Sequence, residues 1–356
     1  MKKIDKILLI SVIILSLFGL LMIYSSSSIW ATYKYNDPYK YLKSQAIFLI
    51  LGYFIIFITS KVDYHLYKKY SNHILIISII LLILVLIPGI GTIRNGSRSW
   101  FGIGSFGIQP SEFAKLGLII FTSKYLTRNK IKDIKSSVLP ILLIVLLIFG
   151  LIMLQPDFGT GVIIVITIVA LLFVSGVNMS FFIKIGLLGL IGVVILVIIA
   201  PYRLERITSF LNPWKDPLGS GFQIIQSMYA IGPGGLLGMG LGNSIQKHFY
   251  LPEPQTDFIF SIISEELGFA GILIVTTLFI TIIYRSITIS IKQEDNFAKY
   301  LSFGITFSLA FQTLLNLMVV VGLIPVTGVT LPFLSYGGSS LLISLLSIGI
   351  VLNISK

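Results

Sequence analysis

The chain has no cysteine among its 356 residues. That excludes disulfide staples, a zinc–thiolate cluster and a thiol nucleophile. Charge is almost as scarce, with Asp, Glu, Lys and Arg together making up 11% of the residues. Water-soluble surfaces carry roughly 25–35% charged residues, so water alone cannot be the solvent of this one. What takes the place of charge is apolar: 55% of the residues are hydrophobic and the mean hydropathy is +0.97. The bilayer is the solvent that such a composition requires.

A helix needs roughly 20 apolar residues to cross about 30 Å of hydrocarbon. Runs of that kind predict ten spans: 7–24, 44–60, 74–90, 111–126, 138–154, 160–175, 181–200, 257–284, 300–321 and 339–353. The start, MKKIDKILL, has the charged front of a signal peptide. Its apolar stretch from Ile7 to Tyr24 nevertheless exceeds the usual roughly 7–15 residues, and no A-x-A site follows. It is therefore read as an uncleaved first span. The reading is an all-α, polytopic membrane protein with about ten transmembrane helices and one membrane domain over residues 1–356.

The formal net charge of +12 raises the question of nucleic acid. Position answers it. Sixteen of the 26 Lys and Arg fall in candidate inner segments and nine in candidate outer ones, with Lys115 inside a span. Basic residues concentrate on the cytoplasmic side of membrane proteins, so the excess is a topology signal and no nucleic-acid partner is needed. An even number of spans puts both termini on that same, cytoplasmic side.

One connection is long. Residues 201–256 form a loop of roughly 55 residues facing outward, well beyond the roughly 15 at which a structureless loop becomes unusual. It is rich in glycine and aromatics, and amphipathic or re-entrant segments are expected around GFQIIQSMYAI. Its AIGPGGLLGMGLGNSIQK stretch has neither a G-K-[ST] ending nor a preceding strand, which excludes a phosphate-binding P-loop. Such dense glycine suggests backbone packed closely against spans or a ligand, with sharp turns as the plainer alternative.

Few residues can carry chemistry. Glu112 and Lys115 open the fourth span three residues apart, on one helix face. Charges inside a span are costly, and the pair fits either a functional groove or a neutralising structural contact. In LQPDFGT, Asp157 reads first as a turn or helix cap. Asp257, in QTDFIF, stands where the long loop meets the eighth span; on its own it too reads as capping chemistry. Glu265 and Glu266 lie two turns deeper and suggest a hydrogen-bonding role. IPVTGVTLPFLSYGGSSL, between the last two spans, is broken by Pro and Gly, and irregular backbone at that depth must be buried in protein or line a cavity.

Together QPSEFAK, LQPDFGT, LNPWKDPLGSGFQIIQSMYAIGPGGLLGMGLGNS, LPEPQTDFIFSIISEELGFAG and TLPFLSYGGSS resemble the SEDS family (shape, elongation, division and sporulation), in order and spacing, over essentially the whole chain. These are the bacterial membrane glycosyltransferases that include FtsW, RodA and SpoVE, and the chain looks most like the FtsW and SpoVE branch. The resemblance implies polymerisation of lipid II into glycan strands at the outer face of the cytoplasmic membrane, for division or spore cortex synthesis. It implies Asp257 as the catalytic carboxylate and Glu112 with Lys115 as groove-shaping residues. Many relatives have a basic residue directly before the Trp, whereas here Ser99 separates Arg98 from Trp100. Arg98, Lys115, Lys247 or a divalent cation are the alternatives for neutralising the substrate diphosphate. The family also implies a class B penicillin-binding protein partner, docked on spans eight and nine. A precursor flippase and a non-catalytic scaffold are the competing functions.

Overall fold

The structure, a computed structural model, describes residues 4–94, 96–102, 107–128 and 137–356. The inner-side charges Lys2, Lys3, Lys130, Lys132 and Lys135 lie outside the described residues. In chain order the helices are α1 (Lys6–Tyr35), α2 (Lys40–Thr59), α3 (His65–Leu84), α4 (Pro110–Arg128), α5 (Leu139–Met153), α6 (Phe158–Val174), α7 (Met179–Ile199), α8 (Pro201–Leu211), α9 (Phe222–Ile231), α10 (Ile259–Ile291), α11 (Asn296–Val320) and α12 (Gly338–Ile354). Each of the ten expected spans falls on one of them. Six (α1, α2, α3, α7, α10 and α11) are long and apolar enough to cross a membrane, and α5, α6 and α12 are shorter apolar helices. The remaining one, α4, has 19 residues and carries the buried Glu112 and Lys115.

The bundle is built around α4, which packs on α3 and α11, while α12 packs on α2 and α10 packs on α1 and α11. At the rim, α7 buries only Phe181. A helix apolar all round needs no protein neighbour when lipid is its solvent.

Three details depart from the sequence reading, the first being the third span, expected over 74–90 and found as α3 over His65–Leu84. A small antiparallel hairpin, β1 (Thr92–Arg94) and β2 (Ser97–Trp100), interrupts the all-helical pattern, turning through Gly96 at φ +79°. The first helix also runs past the expected end at Tyr24 to Tyr35. Its serines do not break it because their hydroxyls find partners: Ser27 donates to the Ile23 carbonyl at 2.6 Å and Ser25 to the Glu266 carboxylate. Thirty residues span roughly 45 Å, so α1 stands beyond the hydrocarbon.

Inside the long loop, the expected segment around GFQIIQSMYAI is α9, fastened by the Ser227 hydroxyl to Ser261 of α10 and to the Val320 carbonyl of α11, both at 2.7 Å. The glycine run after it packs against a break in α10 at Gly268, where φ is +59° and ψ −153°. In an unbroken helix the amides of Phe269 and Ala270 would bond the carbonyls of Glu265 and Glu266. Here they bond Gly235 and Leu236 at 2.9 and 3.1 Å, and the two released carbonyls accept from Met239 and Gly240, both at 2.9 Å. No backbone group is orphaned by the exchange, which is what permits a broken helix at membrane depth. Glycine is required on both sides: a Cβ on Gly238 would lie 2.2 Å from the Glu266 oxygen, and one on Gly268 2.4 Å from the Gly238 nitrogen.

Both termini meet at the other end of the bundle. Asp5 caps α1 by accepting from the Leu8 amide at 2.9 Å, its own amide donates to Ser355 Oγ at 3.2 Å, and Arg285 near the end of α10 pairs with its carboxylate. The next helix, α11, starts five residues after α10 ends and runs unbroken for roughly 30 Å to Asn316, whose side chain holds the Asp257 carbonyl, so the first turn of α10 lies far from the termini.

Candidate active site

The irregular segment at 326–330 is where the separate motifs meet. From the long loop, Arg206 Nη1 donates to the Val326 carbonyl at 2.9 Å. The LQPDFGT turn comes up beneath it, with a Cβ on Gly159 predicted to fall 2.4 Å from Val329 Cγ2 and 3.0 Å from the Thr327 oxygen. From α11, Asn316 Nδ2 donates both to the Val329 carbonyl at 2.8 Å and to the Asp257 carbonyl at 2.7 Å. One turn away Gln312 Nε2 donates to the Thr330 carbonyl at 3.0 Å, and its Oε1 accepts from Lys115 Nζ at 2.7 Å. Lys115 in turn holds Glu112 at 2.7 Å, both side chains under 10% exposed. Farther along, the Tyr336 amide donates to the Gln255 carbonyl at 2.8 Å, and Gln45 of α2 donates to the Ser335 carbonyl at 3.2 Å. Side-chain amides from α2 and α11 thus supply the donors that a helix would have supplied to itself. Irregular backbone is stable here for that reason.

Asp257 sits at this junction with its carboxylate uncommitted to helix capping. The capping position of α10 is Phe258, which makes no side-chain cap. Asp257 Oδ1 instead accepts from Thr256 Oγ1 at 2.9 Å. The residue is half-buried, with its carboxyl deep in protein. Burial pushes it above the ordinary aspartate range, with the Thr256 hydroxyl and the Arg206 charge acting to lower it and Glu253 to raise it. A capped carboxylate would be a weak base; this one is a stronger base than a free aspartate.

Asp157 behaves differently and matches the plainer expectation for it. It caps α6 by accepting from the Thr160 amide at 3.2 Å, and its second oxygen takes Gln109 Nε2 at 2.9 Å. Glu265 and Glu266 also have the hydrogen-bonding role expected of them. Glu265 accepts from Ser244 Oγ and from the Ile245 amide at 2.8 Å, and Glu266 accepts from Ser25.

The cations proposed from sequence are dispersed. Lys247 is 4% exposed and its ammonium is held 3.0 Å from Glu266, so it fastens the glycine-rich loop to α10. Arg98 reaches the Leu86 carbonyl at 3.4 Å, tying the hairpin to the end of α3. Lys115 is committed to Glu112 and Gln312. A cation whose charge reaches Asp257 is Arg206, exposed and bonded to the Val326 carbonyl, which the sequence reading counted only as one charge in an outer loop. Asn316 and Gln312 were missed as well. Their signal was present, since two amides one turn apart in an apolar span share a face.

A family model described as cell cycle protein, FtsW/RodA/SpoVE, matches residues 5–356, and the chain belongs to that family. It is 51% identical to stage V sporulation protein E of Bacillus subtilis over 354 residues, 99% of this chain and 97% of the relative. It is 42% identical over 357 residues to a probable peptidoglycan glycosyltransferase FtsW of Coxiella burnetii, covering 99% of this chain and 96% of that one. Among solved structures it superposes with a TM-score of 0.81 on a chain from work on the structural coordination of polymerization and crosslinking by a peptidoglycan synthase complex, at 31% identity over 99% of this chain and 97% of that chain. For the rod shape determining protein RodA of Thermus thermophilus the TM-score is 0.74 at 28% identity, over 99% of this chain and 96% of that one. The fold is that of a polytopic, all-helical SEDS membrane protein.

Proposed function

We propose that the chain is a peptidoglycan glycosyltransferase that polymerises lipid II into β-1,4 glycan strands at the outer face of the bacterial cytoplasmic membrane. The observation that carries this reading is the placement of Asp257. It is a desolvated carboxylate, free of capping, on a half-buried residue at the bundle end opposite the termini. With both termini in the cytoplasm, that end faces outward.

The chemistry needs little more. Asp257 takes the proton of the acceptor sugar hydroxyl, and the freed oxygen attacks the donor's anomeric carbon. The carbon–oxygen bond to the lipid diphosphate breaks with its electron pair going to the diphosphate. Displacement from the opposite face inverts the centre and leaves a β-linkage. Arg206, exposed on the long loop beside this junction, is the residue proposed to neutralise the charge that develops on the leaving diphosphate. A divalent cation is the alternative to Arg206 in that role.

A class B penicillin-binding protein is the proposed partner, crosslinking the strand as it is made. The lipid-facing side of α10, with Phe269, Leu273 and Ile280 more than half exposed, is the surface assigned to it.

The test is polymerisation of lipid II by the purified chain, with and without that transpeptidase. Glycan polymer is expected. Arg206→Met is expected to lower kcat/KM by roughly 10²–10³-fold, the scale of losing one charge-stabilising donor, with thermal stability little changed. Movement of lipid II across liposomes without polymer would instead favour the flippase, and neither activity would favour the scaffold.

A further inference from the structure

A cleft of about 400 Å³ opens at the end of the bundle where the termini meet. Its size is within the roughly 300–1,000 Å³ of small-ligand sites. It is lined by the start of α1 (Ile4 to Ile7), the last turns of α10 (Arg285, Thr288, Ile289, Lys292, Gln293) and Ser355. It lies at the level where apolar helix gives way to water, a bundle's length from Asp257.

The charges in the cleft do not cancel. Its one acid, Asp5, is used up: its side chain caps α1, and Arg285 Nε donates to it at 3.0 Å. Those bonds outweigh its burial and hold its carboxyl below the usual range. Lys6 and Lys292 remain, and among the described residues neither has a carboxylate within ion-pair distance. The rest of the lining includes Thr288, Gln293 and Ser355, which already donate to the carbonyls of Tyr284, Ile289 and Leu352, and Ile7, which is 51% exposed. Two ammonium groups without a carboxylate partner among the described residues, beside the exposed Ile7 and at the end of the bundle, match the two halves of a phospholipid.

We propose that this cleft binds the phosphate head group of an anionic phospholipid from the leaflet that faces the termini, with Lys6 and Lys292 on the phosphate and the acyl chains against Ile7. Basic recesses between membrane helices recognise such head groups by this combination. The bound lipid bridges the start of α1 to the end of α10, the helix whose other end carries Asp257.

The experiment uses the full chain in neutral detergent and follows its thermal unfolding midpoint during titration with phosphatidylglycerol, phosphatidylcholine or inorganic phosphate. Phosphatidylglycerol is expected to raise the midpoint saturably, with phosphatidylcholine and inorganic phosphate much weaker. In the Lys6→Gln, Lys292→Gln double variant the half-saturating concentration is expected to rise roughly thirtyfold, from two lost lysine–lipid attractions. Lys34→Gln with Lys40→Gln, at the opposite end, should leave it unchanged. Equal protection by phosphatidylcholine, or by inorganic phosphate alone, overturns the proposal, as does an unchanged half-saturation in the Lys6, Lys292 variant.

Discussion

Asp257→Asn is expected to slow lipid II polymerisation by roughly 10²–10⁴-fold, the usual worth of a positioned general base, with the KM for lipid II little altered. Asparagine has nearly the shape of aspartate and keeps an oxygen that can accept from Thr256 Oγ1, the side-chain partner of the carboxylate among the described residues. The Asn316 clamp is on the backbone carbonyl of Asp257 and is indifferent to the side chain. Fold and substrate contacts are therefore expected to survive while the proton acceptor is lost. Measured initial rates, at matched expression and matched unfolding midpoint, check this. A variant that polymerises at the wild-type rate would remove Asp257 from the chemistry.

Lys115→Met is expected to destabilise the protein by about 3–5 kcal/mol, the scale of breaking one side of a buried ion pair. The loss has two sources. Glu112 is left as a buried carboxylate without its cation, and Gln312 Oε1 loses its donor, which loosens the grip of Gln312 on the Thr330 carbonyl. Adding Glu112→Gln to Lys115→Met removes the stranded charge and is expected to restore most of the stability, read as a thermal unfolding midpoint in detergent. Polymerisation by the stabilised double variant then separates two roles. Recovered activity would mean that the pair acts only by holding α4 to α11 and the 326–330 segment, whereas a folded but inactive protein would mean that its charges shape the substrate groove as well.

The spans were legible because apolar runs are a property of composition over many residues, and composition survives any detail of packing. The glycine-rich stretch was legible as close approach or sharp turns without a choice between them, and Gly238 is both, at φ +77° with a Cβ position 2.2 Å from the Glu266 oxygen; its counterpart was not legible. A single Gly268 within an apolar helix looks like any other tolerated glycine, and the exchange of backbone bonds around it involves groups that every residue has. The same reasoning explains why the junction at 326–330 stayed hidden. It gathers Arg206, Gly159, Asn316 and Gln312 through its carbonyls and apolar contacts, and a carbonyl leaves no mark in the sequence.

Asp257 itself was ambiguous, because an acid at a helix start is ordinary capping chemistry and only the resemblance to a family raised it above that. The structure separates it from Asp157, which does cap its helix. Arg206 was lost among outer-loop charges, because what distinguishes it is its position over Val326 on an amphipathic helix, a tertiary fact. Lys247 pointed the other way: a lysine in the long loop looked available to a diphosphate, and it is buried against Glu266.

The most direct test of the account is the pH dependence of kcat/KM for lipid II polymerisation, measured on the wild type and on the residual activity of Asp257→Asn. A base works only when deprotonated, and burial raises the pKa of Asp257. Wild-type activity is therefore expected to be present at neutral and higher pH and to fall on a single acid limb whose midpoint lies above the ordinary aspartate range, while the variant's residual rate shows no such limb. The same limb in both proteins would contradict the account.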